Sequence, residues 1–178
     1  MKNSIRITSG RFRGRKISTP GGKTHPMGER ERLALFNMIA EYLPSCSVLD
    51  AFAGSGALGI EALSRGAGSV LFIEQNSGAC EAIRSNLNEI DIKEDIGEVI
   101  RGDVYNYLAS GGRRFDVVLA DPPYDDYDET RIVSLVDAVA EPNGILVLSH
   151  PGESPEMPGM KALKTRRYAA ANISIYTR

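Results

Sequence analysis

The chain has 178 residues, 42% hydrophobic and 25% charged, with a net charge of −2. That length suits one domain with a sizeable core, and the composition excludes low-complexity and solenoid-repeat proteins. No apolar run is long enough to span a bilayer as a helix and no apolar signal segment follows the first residues, so a cytoplasmic protein without a membrane partner is expected.

Charge is unevenly spread. Residues 1–32 hold nine Lys or Arg against Glu29 and Glu31, a local balance of +7, while the remainder balances at −9. A basic arm on an acidic body is the pattern of a polyanion contact at one end, although a solvated basic tail would look the same. Residues 1–28 are therefore expected to form a basic extension and residues 29–178 the main domain. The two cysteines, Cys46 and Cys80, have no metal or redox spacing and read as small buried side chains; no metal site is expected.

In chain order, residues 4–17 alternate apolar and basic around Gly10 and Gly14, which predicts a short hairpin. Residues 18–28 are a Gly/Pro/Thr loop. From Glu29 to about Leu43, the set Leu33, Phe36, Ile39, Ala40 and Leu43 marks one helical face, stopped by Pro44. A strand–helix alternation follows: strand 47–52, helix 57–66, strand 69–75, helix 77–90, strand 98–101, strand 115–120, helix 129–139 and strand 144–149. Such alternation predicts a mainly parallel α/β sheet covered on both faces. Two further strands, 161–168 and 171–178, have so short a link that they should pair antiparallel.

The turn after the first strand of this series reads Asp50-Ala51-Phe52-Ala53-Gly54-Ser55-Gly56-Ala57-Leu58-Gly59, and Glu74 ends the next strand. Glycines there let a ligand approach the backbone, and a carboxylate at Glu74 can accept both hydroxyls of a ribose. The spacing also fits the nicotinamide fingerprint, so the turn alone does not choose the cofactor. Two residues favour S-adenosylmethionine. Asp50 suits an ammonium and opposes a pyrophosphate. Asp103, followed by Val104, could accept from an adenine amino group. Either carboxylate could instead serve only as a local cap.

Asp121-Pro122-Pro123-Tyr124 ends a strand at the edge where open parallel sheets bind ligands. The amino group of a nucleobase is a poor nucleophile because its lone pair is delocalised into the ring. A carboxylate and a backbone carbonyl, both accepting its hydrogens, localise that pair. The prolines fix the backbone, and Tyr124 can stack on an extruded base. Catalysis of this kind is orientation and electrostatics.

Four blocks now stand together: Ser9-Gly10-Arg11-Phe12-Arg13-Gly14-Arg15-Lys16, Glu29-Arg30-Glu31-Arg32-Leu33-Ala34-Leu35-Phe36-Asn37, the stretch from Val48 to Ala67, and Asp121-Pro122-Pro123-Tyr124. Over nearly its whole length the chain resembles the class I methyltransferases, and most closely the RsmD family of 16S ribosomal RNA guanine-N2 methyltransferases. The resemblance implies a Rossmann-like, doubly wound, mostly parallel seven-stranded sheet with an antiparallel last strand, plus the N-terminal β-hairpin. It implies methyl transfer from S-adenosylmethionine, leaving S-adenosylhomocysteine, to a guanine of 16S rRNA in the small ribosomal subunit or its assembly intermediate, by a monomer. By position, Asp121, Pro122, Pro123 and Tyr124 carry the catalytic role. Asp50, Ala53, Gly54, Gly56, Glu74, Gln75, Asp103 and Val104 carry the cofactor role. Arg11, Arg13, Arg15, Lys16, His25, Arg30 and Arg32 are expected to contact RNA. One departure stands out: family members usually read Arg-Pro-Thr where this chain has His25-Pro26-Met27. Three rivals remain. A DNA adenine-N6 or cytosine-N4 methylase shares the tetrapeptide but needs a target-recognition insert that is not evident here. A nicotinamide oxidoreductase needs a substrate domain. A non-enzymatic RNA-binding assembly factor has no need of the Asp121 tetrapeptide.

Overall fold

The computed structural model describes residues 4–20, 27–140, 142–168 and 171–178. The expected hairpin is present: β1 (Ser4–Arg6) and β2 (Lys16–Ser18) pair antiparallel with Ile5 opposite Ile17. Gly10 turns it with φ +78, and a Cβ there would lie 1.8 Å from the Ser64 carbonyl oxygen, so only glycine fits.

The main sheet contains β3 (Ser47–Asp50), β4 (Ser69–Glu74), β5 (Gly97–Arg101), β6 (Val117–Ala120), β7 (Ile145–His150), β8 (Lys161–Arg167) and β9 (Asn172–Thr177). Its order is β5-β4-β3-β6-β7-β9-β8. The first five strands run parallel, and β9, last in sequence, is antiparallel to both β7 and β8. The strand order reverses between β3 and β6, which makes their carboxyl ends the switch point where such sheets bind ligands.

The helices are α1 (Glu29–Met38), α2 (Ala57–Ser64), α3 (Ser77–Glu89), α4 (Val104–Ala109) and α5 (Glu129–Ile132). Side chains of Asn76, Asp103 and Asp128 cap α3, α4 and α5. Three sequence expectations need correction. α1 stops at Met38 rather than near Leu43, and Ala40–Tyr42 forms a 3-10 turn. The helix expected over 129–139 is a single α-turn followed by a 3-10 segment, Val133–Ala138. Its β-branched residues Thr130, Ile132, Val133, Val136 and Val139 crowd a regular helix. The short α4, which carries no amphipathic period long enough to read, was not anticipated.

The hairpin is built into the body. Ile7, Phe12 and Ile17 share one core with Leu35 and Phe36 of α1, Ile39 just after it, Ile60 of α2, and Val117, Val147 and Ile173 of the sheet. The tie is polar as well. Glu61 of α2, fully buried, accepts from the Thr8 amide at 2.9 Å, the Thr8 hydroxyl and the Ser9 amide at 3.1 Å, and pairs with Arg65 at 2.9 Å and Arg32 at 3.5 Å. Breaking a buried pair by removing one partner strands the other charge. Glu61→Ala should therefore cost about 3–5 kcal/mol of stability by urea denaturation; a loss under about 1 kcal/mol would show the network to be dispensable.

Candidate active site

The glycine turn lies between β3 and α2. Gly54 has φ +53 and Gly56, the N-cap of α2, φ +76. The Gly54 amide donates to Glu74 Oε2 at 2.8 Å and the Asn76 amide to Glu74 Oε1 at 2.8 Å, so one carboxylate at the end of β4 holds the turn and the start of α3 together. Ala53 anchors the turn from below, its amide donating to the Ile73 carbonyl at 3.0 Å and its carbonyl accepting from Gly56 at 2.7 Å.

Asp50 is buried at the end of β3. Its Oδ2 accepts from the Gly59 amide at 2.9 Å, in the first turn of α2, while Oδ1 has no hydrogen-bond partner among the described residues. Burial pushes its carboxyl up to about 7, with the nearby Asp121 and Glu74 carboxylates pushing the same way. A desolvated, half-satisfied carboxyl beside an open glycine turn fits a ligand ammonium.

On the far side of Glu74, Asp103 caps α4 by accepting from the Asn106 amide at 2.9 Å. Its other oxygen accepts from Gln75 Nε2 at 3.0 Å and faces Arg131 at 3.6 Å. Val104 is buried behind it. Phe52 meets Tyr105 edge-on at 5.9 Å, and the Arg131 guanidinium lies 4.0 Å over the Tyr105 ring. Together these form an apolar wall with a carboxylate at its rim.

Asp121 follows β6, across the switch point from Asp50. Partial burial raises its carboxyl above the usual carboxylate range, the neighbouring Ser149 hydroxyl opposes that rise, and Glu31 of α1 adds repulsion. The Ser149 hydroxyl, at the end of β7 and buried, also bonds the Tyr124 hydroxyl at 2.5 Å. Pro122 is buried; Pro123 is extended at φ −63, ψ 127 and starts a 3-10 turn over Tyr124–Asp126 that leaves the Tyr124 ring half in solvent. Thus Ser149 fixes the aromatic ring of Tyr124 next to the Asp121 carboxyl.

The model of the family described as Conserved hypothetical protein 95 matches residues 5–177. The Haemophilus influenzae ribosomal RNA small subunit methyltransferase D is 32% identical over 86% of this chain and 82% of its own. The chain belongs to the RsmD methyltransferase family. The Bacillus subtilis protein YlbH is 32% identical over 97% of this chain and 98% of its own. Among solved structures, the Escherichia coli protein yhhF shares the fold at a TM-score of 0.88 and 28% identity, over 99% and 98% of the two chains. The seven-stranded sheet, its antiparallel last strand and the hairpin agree with the fold expected of an RsmD-family protein.

The structure gathers Asp50, Ala53, Gly54, Gly56, Glu74, Gln75, Asp103 and Val104 along the carboxyl ends of β3, β4 and β5, with Asp121 to Tyr124 beside them just after β6. It divides the basic residues. Arg11, Arg13, Arg15, Lys16 and Arg30 are exposed. Arg11 lies 4.4 Å over the Phe12 ring, and Arg15 donates to the Glu89 carbonyl at 3.1 Å. Arg32 is a correction. It is 1% exposed, donates to the carbonyls of Met27 and Arg6 and pairs with Glu61, so it fastens the hairpin and cannot meet RNA. His25 lies outside the described residues. The hairpin spans α2: Ser18 meets Asn86, which holds the Ser55 carbonyl near the glycine turn, while Arg11 at the tip donates to Ser64 at the other end. Sequence reasoning missed Ser149 and Arg131. A polar residue closing the apolar run Ile145-Leu146-Val147-Leu148 was the available signal for Ser149.

The raised Asp50 carboxyl has a consequence for stability. Its proton is held more tightly folded than unfolded, so its contribution is complete below pH 4 and is lost as pH rises towards 7. Asp50→Asn should shrink the fall in urea midpoint between pH 5 and pH 8; an unchanged fall would mean that Asp50 is not neutral when buried.

Proposed function

We propose that this chain transfers a methyl group from S-adenosylmethionine to the exocyclic N2 of a guanine in 16S rRNA. It acts as a monomer in the cytoplasm, on the small ribosomal subunit or its assembly intermediate. The observation that carries this reading is the pair of carboxyls at one switch point, the buried Asp50 beside the glycine turn and the half-buried Asp121 beside Ser149 and Tyr124, each raised by desolvation.

The bound cofactor supplies an electrophilic methyl group on a sulfonium. The chain's residues hold and orient. The free Oδ1 of Asp50 accepts from the cofactor's ammonium. Glu74, already fixed by two amides, accepts from the ribose hydroxyls with its remaining lone pairs. Asp103, steadied by Gln75, reads the adenine amino group, with Val104 behind it. Ala53, Gly54 and Gly56 shape the turn.

On the substrate side, the Asp121 carboxylate and the Pro122 carbonyl accept the two amino hydrogens and so turn the nitrogen lone pair outward. Tyr124 stacks on the base, its hydroxyl pinned by Ser149. The nitrogen becomes strongly acidic once alkylated, so its proton leaves to water without a dedicated base. Arg11, Arg13, Arg15, Lys16 and Arg30 meet phosphates along the hairpin side, His25 contributes to RNA contact, and residues 1–28 act as the RNA-binding extension of the 29–178 domain.

Labelled methyl transfer to unmodified small subunits, naked rRNA and duplex DNA tests the reading. N2-methylguanosine from the ribosomal samples is expected, whereas methyladenine or methylcytosine from DNA would overturn the substrate. Asp121→Ala should lower kcat at least about 100-fold while cofactor affinity stays within a few fold; a near-normal rate would remove Asp121 from the mechanism. Because Asp121 must be ionised to accept, activity should fall on acidification at a pH above the ordinary carboxylate range. An acid limb near pH 4 would contradict its burial.

A further inference from the structure

β8 is an edge strand in which all seven residues, Lys161-Ala162-Leu163-Lys164-Thr165-Arg166-Arg167, are exposed. It carries four cations and no acid. None of the four has an ion pair or side-chain hydrogen bond among the described residues. Lysines on an edge strand can serve simply to block strand addition. The register of this one points to more.

Arg166 pairs with Ile173 of β9, and Ile173 pairs with Ser149 of β7. Residues paired across strands project to the same face. Arg166, Ile173 and Ser149 therefore form one row across the sheet, and Ser149 is the residue bonded to Tyr124 and set beside Asp121 where β7 runs next to β6. Two strand spacings separate Arg166 from Ser149, about 10 Å between backbones. That gap is within the reach of an extended arginine and a nucleotide that places its base on Tyr124. Lys164 pairs with Ile175 and lies in the next row of the same face. This face is the one packed by α1: Ile173 and Ile175 share their core with Leu35, Phe36 and Ile39. Glu31, whose charge reaches Asp121 and Tyr124, is engaged by the Gly28 amide at 3.1 Å. Thr165, by contrast, turns to the other face and bonds Ser154 and Ser174.

We propose that Arg166 and Lys164 form a second RNA-binding surface, which holds the backbone phosphates flanking the target nucleotide on the side of the site away from the hairpin arm. The inference rests on the RNA-methyltransferase reading and deepens it. A base extruded onto Tyr124 must leave its strand running past the end of the sheet. A cation pair in register with Ser149 fixes the phosphates there, while the hairpin holds RNA along α2. The contact is electrostatic and sequence-independent, so it positions the strand rather than reading it.

Methyl transfer to unmodified small ribosomal subunits, over a range of salt, tests it. In the Lys164→Gln/Arg166→Gln double variant, KM for the subunits should rise on the order of tenfold with kcat near normal. Its log-affinity for a single-stranded rRNA fragment should depend less steeply on log salt, by roughly 1.4 for two lost phosphates. Binding of S-adenosylhomocysteine should be unchanged, which reports an intact fold and cofactor site. Arg166→Lys should recover most of the affinity. Lys161→Gln is the internal control, because Lys161 aligns through Thr177 with Ile145 at the opposite end of β7, about 14 Å from Ser149 along the strand. An unchanged KM and salt slope in the double variant, or an equal effect from Lys161→Gln, would overturn the surface while the wild-type activity stands. No methyl transfer by the wild type would instead reject the functional reading.

Discussion

Two desolvated carboxyl groups at the meeting point of β3 and β6, Asp50 buried and Asp121 half-buried, set the terms for the rest of this molecule. Asp50 and Asp121 end neighbouring strands, each is raised by burial, and Asp121 adds to the elevation of Asp50. No arginine or lysine is paired with Asp50 among the described residues. A buried carboxylate without a cation is costly, so such a site is stable when protonated and becomes favourable as a carboxylate when a cationic ligand arrives. Parallel-sheet topology supplies the location, and the first turn of α2 supplies the one amide that Asp50 accepts.

Around that point, the surrounding elements act as braces. Glu74 joins the glycine turn to α3, Asp103 joins Gln75 to α4, and Ser149 holds the Tyr124 hydroxyl beside Asp121. The N-terminal hairpin is a brace as well as a basic surface. It contributes Ile7, Phe12 and Ile17 to the main core and binds Glu61 through Thr8 and Ser9. Cations carried on a hairpin packed into the body need no ordering of a loose tail when a polyanion binds, which would otherwise cost conformational entropy.

Much of this was legible in the amino-acid order. The strand–helix alternation gives the parallel sheet, the short final link gives the antiparallel hairpin, and the glycine turn and Asp121 tetrapeptide fall at strand ends where the structure has them. What escaped notice depends on contacts distant in sequence. Arg32 looked like its neighbour Arg30, yet it stands three, four and seven residues before Leu35, Phe36 and Ile39, on the apolar face of α1, and its partner Glu61 is on another helix. Helical spacing held the clue, and charge type obscured it. Ser149 is 28 residues beyond Asp121, and only the register of β6 with β7 brings them together. The facing of β8 could not be read at all, because a bulge between Ala162 and Lys164 shifts its alternation by one residue.

If Asp50 is neutral until a cation reaches it, binding must drive off its proton. Calorimetric titration of S-adenosylhomocysteine at pH 6, in buffers of different ionisation enthalpy, counts the protons exchanged. The expected result is release approaching one proton by the wild type and none by Asp50→Asn. Tight binding by the wild type without proton release would contradict the account, since Asp50 would then already be charged or would play no part in holding the ligand.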